Sequence, residues 1–404
     1  MSTALFRFAV RTEIYSGAGS RTLLPELVRG LGGKRAVLFA DKGLTAAGLT
    51  ERVAELLRMM PGPVELAGVF DAIEQDARAE NVNEAARFIK ECGADALIAL
   101  GGGSVLDAVK AAKWLLHKEH RDIRDLLQGS LRETPPQARP IPFPHVAIPT
   151  TAGTGSEVSP IAVVYNERLK LKTNLSHPFI SADVSILDPE LTVGLPPRIT
   201  AFTGFDALTH AVEAYFSPRA NPMTDAYALQ AVRLIVSHLP TAVAEGTNLQ
   251  ARANMLMASS MAISAFSLSL MAIPVHNMAH AFGAKFGIPH GLANAVLLPA
   301  VMEALPSFYL PKIHGFAEAL GLKETAEQAE ACLKQVVRFI RDLREQIGLP
   351  DSFAEFALSP DSLEQMVAAV QSDPTAAAFC IPAEIIAQVT NEVAGVPATN
   401  TGER

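Results

Sequence analysis

Cysteine is scarce. Cys92, Cys332 and Cys380 are the only three in 404 residues, and they are scattered with no CxxC pair. That excludes a disulfide framework and points to a reducing compartment. Basic residues are not in excess: 34 Lys and Arg stand against 42 Asp and Glu, a formal charge of −8. With no basic stripe, nucleic acid is not expected as the main partner. Long hydrophobic runs are missing too. The most apolar stretch, Met261 to Val275, is broken by serines and too short to span a bilayer, so it reads as one buried helix and no membrane partner is expected. The first residues, MSTALFRFAVRTE, have neither the apolar run nor the small-residue cleavage site of a signal peptide. Internal repeats and low-complexity tracts are absent. The expectation is a soluble, cytoplasmic protein.

What is present is apolar and aliphatic: 49% of residues are hydrophobic and only 6% aromatic, which fits a compact α/β or helical enzyme. The length suggests two domains with ample cores. Leu5 to Val10 and Glu13 to Tyr15 look like short strands. Arg35 to Ala40, Val64 to Phe70, Ala94 to Leu100 and His145 to Pro149 read as nearly continuous apolar strands. Helical patterns separate the first three (about Ala46 to Met59 and Ala77 to Cys92). This alternation predicts a parallel sheet covered on both faces. The proline-rich stretch from His117 to Pro144 reads as a surface excursion. Beyond Leu195-Pro196-Pro197 strand patterns stop and helical ones dominate: Gly204 to Phe216, Met223 to Ser237, Leu249 to Met271, and more after Pro311. We therefore divide the chain into an α/β domain, residues 1–195, and an all-α domain, residues 196–404.

Two loops of the first domain have the chemistry of phosphate binding. Gly101-Gly102-Gly103-Ser104 stands where a buried strand meets a helix. Glycines there admit an anion close to the backbone, and the helix N-terminus supplies N–H groups and about half a unit of positive charge. Three successive glycines exceed what an ordinary tight turn needs, although the spacing is not GxGxxG. TTAGTGSE, Thr150 to Glu157, is a second loop of this kind, and two such loops suit a ligand as long as a dinucleotide. Asp41 ends an earlier strand, where a carboxylate can accept from a ribose diol and repel a 2′-phosphate. That favours NAD; the adjacent Lys42 leaves NADP open, and turn or helix capping is the plain alternative for Asp41.

The second domain has the chemistry of metal binding. Three of the ten histidines fall within HNMAHAFGAKFGIPH, residues 276 to 290. His276 and His280, four apart, share one helix face. His290 follows Gly287-Ile288-Pro289, on a turn that folds back towards that helix. Asp206 and His210, also four apart on a predicted helix, could grip a divalent cation together. Spacing alone would pair His276 with His280.

Taken in order, GGGSVLDAVK, PTTAGTGSEVS, GFDALTHAVEAYFS and HNMAHAFGAKFGIPHGLANAVLLP resemble the iron-containing (group III) alcohol dehydrogenases, which include lactaldehyde reductase and propanediol dehydrogenase. The resemblance runs from about residue 10 to beyond 300. It implies a dehydroquinate synthase-like fold: a dinucleotide-binding α/β domain, an all-α metal-binding domain, and the metal in the cleft between. It implies Asp206, His210, His276 and His290 as metal ligands, with His280 beside the nicotinamide and substrate. For the cofactor it implies Asp41 at the adenosine ribose, Gly102, Gly103, Ser104 and Asp107 at the diphosphate, Thr150, Thr151 and Thr154 in the second loop, and Lys172 against a ribose. It also implies a homo-oligomer, a dimer or larger. Two stretches depart from the family pattern. Ile73-Glu74-Gln75-Asp76 replaces a Pro-Asn-Pro-like turn, and Ala378-Phe379-Cys380-Ile381-Pro382 replaces an Asn-Pro-Arg segment near the substrate cleft.

The implied chemistry is reversible alcohol–carbonyl interconversion, with hydride passing to or from nicotinamide C4. An all-N/O ligand set is compatible with Fe2+ and with Zn2+, and the affinity order favours zinc. His280 is a candidate proton relay, with cofactor packing as its alternative role. Three other functions are less well supported. Maleylacetate reductases share the fold but lack the full ligand set, which is intact here. A metallohydrolase would need a glutamate where Asn277 stands. A non-enzymatic binding or filament module would need neither the phosphate loops nor four ligands.

Overall fold

The structure is a computed structural model and describes residues 5–59, 64–356, 358 and 363–395. The first half is built on a six-stranded sheet of β1 (Glu13–Ser16), β2 (Arg35–Phe39), β3 (Glu65–Phe70), β4 (Ala96–Gly101), β6 (His145–Pro149) and β9 (Val184–Leu187), ordered β1-β9-β6-β4-β2-β3. Every neighbouring pair is parallel. β5 (Leu131–Arg132) joins the antiparallel hairpin of β7 (Ile161–Asn166) and β8 (Leu171–Ser176) in a separate small sheet.

Continuous apolar strands are explained by burial on both faces. Successive side chains point to opposite sides. Val37, Phe39, Leu97, Ala99 and Ala147 pack into one core with α4 (Ala79–Glu91) and α5 (Gly103–His117). Ala36, Leu38, Ile98, Leu100 and Ile148 pack into another with α1 (Leu24–Gly30) and α3 (Leu49–Met59). Each fully buried Val, Leu or Phe contributes about 2 kcal/mol from removal of apolar surface. α2 (Lys42–Ala46) and α6 (Ile123–Leu126) are single turns.

From Pro197 onwards the described residues are helical or irregular. The long helices are α7 (Pro197–Phe216), α8 (Pro222–Ala244), α9 (Leu249–Ser269), α10 (Pro274–Phe286) and α11 (His290–Ala304). α7 and α11 are buried nearly all round, which puts two of the helices carrying candidate ligands in the centre of the helical core.

Four sequence expectations are corrected. Leu5 to Val10 is not a strand: β1 pairs with β9 only along Glu13–Ser16, and Leu5 is fully exposed. An apolar stretch forms a strand only where it pairs with a neighbour. The helix expected from about Ala46 to Met59 starts later, at Leu49 as α3, because Gly48 takes a left-handed φ of 75° and separates it from α2, a turn over Lys42–Ala46 that the sequence reading did not expect. The run Met261 to Val275 is not one helix. α9 stops at Ser269 and α10 starts at Pro274, bent by 104°, since the residue before a proline is driven out of the helical region. His290 is not on the turn itself but is the first residue of α11, just past the left-handed Gly287. Among the described residues no single helix is long and apolar enough to cross a membrane.

Candidate metal centre and cofactor cleft

α7 carries Asp206 and His210 on one face, as their spacing requires. α10 carries His276 and His280, and α11 opens with His290. The approach of α11 to α7 depends on Gly291. A Cβ there would stand 2.3 Å from the Phe202 carbonyl oxygen, so only glycine lets the two backbones come this close. The neighbouring His290 is thereby delivered to Asp206.

Asp206, His276 and His290 each offer one donor atom, and the three atoms lie within 4.8 Å of one another. Asp206 Oδ1 is 3.6 Å from His276 Nε2 and 3.5 Å from His290 Nε2. Nitrogen and oxygen ligands held about 2.0–2.2 Å from a tetrahedral cation stand roughly 3.3–3.6 Å apart, so this spacing and this donor chemistry fit a divalent metal. His210 is beside the trio rather than within it. Its ring stacks on that of His276, centroids 4.5 Å apart at 22°, and its buried Nδ1 has no hydrogen-bond partner among the described residues. Phe266 closes the cluster on another side, 4.8 Å from the His210 ring and 5.0 Å from that of His276.

Burial works against charge at each of these groups. It drives the His210 imidazole down to about 4. At Asp206 burial pushes upward, but His210, His276 and His290 outweigh it and hold the carboxyl well below the usual range. At His276 burial pushes downward and is overridden by Glu213 and Asp206, which raise the imidazole to about 9.

Three contributors escaped the sequence reading. Glu213, on α7, contacts His276 Nδ1. Its signal was available, since 206, 210 and 213 share one helix face. Asn294, four residues after His290, donates from Nδ2 to Asp206 Oδ1 at 2.7 Å. Asp373, at the N-cap of a short 3-10 turn, has Oδ2 3.5 Å from His280 Nδ1. Nothing local in the sequence points to it, because its partner is 93 residues away. His280 itself stacks on His290, centroids 5.4 Å apart.

The two glycine-rich loops are neighbours. Gly102 is the N-cap of α5, and no side chain caps that end. A Cβ on Gly102 would stand 3.4 Å from Thr151, and one on Gly103 only 2.8 Å from Thr154 Cγ2. The Thr150 N–H donates to the Gly101 carbonyl at 3.0 Å, and Thr150 is buried. Ser104 Oγ accepts from the Asp76 N–H at 3.0 Å, and Asp76 pairs with Lys172 at 2.7 Å. The Asp107 carboxylate accepts from Ser156 Oγ, from the Val163 N–H at 3.1 Å and from Lys110 at 2.9 Å, so it braces the second loop and β7. That second loop reaches the helical domain: the Gly153 backbone faces His210, and Glu157 accepts from Ser260 Oγ on α9 at 2.6 Å. Asp41 is the N-cap of α2, its Oδ1 accepting from the Leu44 N–H at 2.9 Å.

The fit of the two loops makes a direct prediction. Gly103→Ala is expected to push Thr154 away and raise the KM for dinucleotide about 10-fold, the equivalent of about 1.4 kcal/mol. Metal content should not change. Steady-state kinetics and metal analysis on one preparation check both halves.

Comparison with known proteins agrees with this arrangement. A family model described as iron-containing alcohol dehydrogenase matches residues 11–189, and one for the C-terminal part of the same family matches residues 200–385. The chain is 37% identical over 378 residues to 1,3-propanediol dehydrogenase of Klebsiella pneumoniae, covering 93% of this chain and 95% of that protein. Its fold superposes on a crystal structure of 1,3-propanediol oxidoreductase with a TM-score of 0.88 at 35% identity, covering 96% of this chain and all of that one. It also superposes on sulfoacetaldehyde reductase from Bifidobacterium kashiwanohense in complex with NAD+, with a TM-score of 0.84 at 27% identity, covering 97% and 100%. Two phosphate-type loops, a helical domain with converging Asp and His donors, and matches spanning both halves have one common explanation: the chain belongs to the iron-containing alcohol dehydrogenase family.

Proposed function

We propose that this enzyme, an oxidoreductase acting on CH–OH groups, interconverts a small alcohol and its aldehyde or ketone with NAD in preference to NADP, and that Asp206, His210, His276 and His290 hold its divalent cation. The observation that carries this reading is the 3.5–3.6 Å spacing of Asp206 Oδ1 from the two histidine nitrogens. When bound, the cation supplies Lewis-acid polarisation of the substrate oxygen and the nicotinamide accepts or returns the hydride.

The chain's own residues would do the rest. The loops at Gly102–Ser104 and Thr150–Thr154 would bind the diphosphate through backbone N–H groups and hydroxyls. The Phe266 ring, packed on His210 and His276, would keep water from the ligand nitrogens. His280 is partly exposed, with Nδ1 turned to Asp373. Its Nε2 would take the hydroxyl proton as the alcohol is oxidised and return it in the reverse direction. Iron is favoured by the family and zinc by the affinity order. The compartment we propose is the cytoplasm, because Cys92, Cys332 and Cys380 are all unpaired.

The test is direct. Purified protein reconstituted with Fe2+ or Zn2+ is mixed with NAD and a panel of short alcohols, and the reduced-nicotinamide absorbance is followed. No gain with any alcohol, with metal bound, would sink the proposal.

Cofactor preference has its own test. Asp41→Gly should cost only a few tenths of a kcal/mol, because glycine is a tolerable N-cap. Removing the carboxylate should raise the NADP:NAD ratio of kcat/KM by about 10-fold or more, since a 2′-phosphate would no longer face a like charge. Asp41→Asn keeps a capping side chain without the charge and should move the same way. An unchanged ratio would remove Asp41 from cofactor recognition.

A further inference from the structure

Glu213 is a carboxylate with 1% exposure in the centre of the helical domain. A charge there is costly unless its oxygens are fully engaged. They are engaged by a single turn of another helix. Oε1 accepts from the Val275 N–H at 2.6 Å and from the His276 N–H at 3.4 Å. Oε2 accepts from His276 Nδ1. The first turn of α10 has no side-chain cap from Ile273, so Glu213 caps it from α7.

The ring contact has a consequence for the metal. Neutral imidazole carries one proton, and the nitrogen that keeps it cannot be a ligand. A carboxylate is acceptor-only, so at Nδ1 it selects the tautomer protonated there. In the neutral ring that a cation would bind, His276 Nε2, the nitrogen 3.6 Å from Asp206 Oδ1, is then the one with its lone pair free. A negative acceptor also makes that lone pair more basic. Asp206, seven residues earlier on α7, is on the same side of the helix, so one rigid element carries both a ligand and the orienter of a second.

We propose that Glu213 is a positioning residue of the metal site, which fixes His276 in the Nε2-donating tautomer and orientation. This rests on the reading of Asp206, His276 and His290 as ligands to a divalent cation. Glu213 touches no cation itself and acts through the His276 ring.

Capping α10 and orienting the ring are separable. In Glu213→Gln the amide oxygen still accepts from the Val275 N–H. The amide NH2, however, now faces His276 Nδ1 and needs an acceptor there, which moves the ring proton to Nε2. The probe is Zn2+, titrated in competition with a chromophoric chelator. Glu213→Gln should bind Zn2+ roughly 10- to 100-fold more weakly than the parent, with the metal-free melting temperature little changed. Glu213→Ala should lose at least as much affinity and melt lower. Glu213→Gln binding Zn2+ as tightly as the parent would overturn the inference and leave Glu213 as a helix cap only. Nitrogen-15 NMR of the imidazoles in the unaltered Zn2+-loaded protein, with His276 assigned from a His276→Gln variant, is decisive even if the Glu213 variants do not fold. A proton on Nδ1 supports the inference, and one on Nε2 overturns it. A parent that takes up no Zn2+ in this titration would instead overturn the metal-site reading on which the inference stands.

Discussion

His290→Ala is expected to leave the protein without its divalent metal and to lower kcat/KM by more than about 10³-fold. Removing one of the three mutually close donors leaves the pair Asp206 and His276. Loss of Lewis-acid stabilisation worth several kcal/mol corresponds to three or more powers of ten in rate. His290 is the most informative ligand to remove because its side chain is 32% exposed, so truncation opens little buried space. His276 is 3% exposed and partners Glu213, so His276→Ala also abandons a buried carboxylate. A stability loss of about 3–5 kcal/mol is expected there besides loss of metal. Metal per chain after exhaustive dialysis, read beside a melting curve, separates the two effects. A His290→Ala protein that keeps one metal per chain would strike His290 from the ligand set.

His280→Ala should give the opposite pattern. It is expected to keep its metal and its melting temperature and to lose about 10²- to 10⁴-fold in turnover, the range for a positioned general acid–base group. His280 is on the same helix face as His276, yet its Nδ1 is turned to Asp373, 3.5 Å away, and its ring is stacked on His290 rather than aimed at Asp206. If the residue only orients the cofactor, the KM for NAD will rise while kcat holds. Metal lost from His280→Ala and retained in His290→Ala would reverse the assignment of the two histidines.

Most of the sheet was legible because period and length carry it. Apolar runs such as Ala96–Gly101 and His145–Pro149 are long enough for a buried parallel strand and too short for a helix. The misreadings have local causes. Leu5 to Val10 is apolar but pairs with no strand among the described residues, and Pro274 breaks a run that hydrophobicity alone joins up. The candidate site was legible where its residues recur at helical spacing, as with Asp206 and His210. It was illegible where a partner comes from a distant segment, as with Asp373. It was overlooked at Glu213, although 206, 210 and 213 share one helix face.

Residues 276 to 290 by themselves determined that imidazoles cluster there, since 3.6 residues per turn puts His276 and His280 on one face whatever surrounds them. The family's motifs added which of them to expect on the metal. Periodicity could not divide the pair, because both histidines leave α10 on the same side. Tertiary structure gave the two rings different surroundings. The Cβ-free contact of Gly291 with the Phe202 carbonyl seats α11 on α7 and brings His290 to Asp206. Glu213 reaches across from α7 to hold one histidine by Nδ1, and Asp373 stands against the other. Which nitrogen faces Asp206 is a property of three packed helices, and no single stretch of sequence contains it.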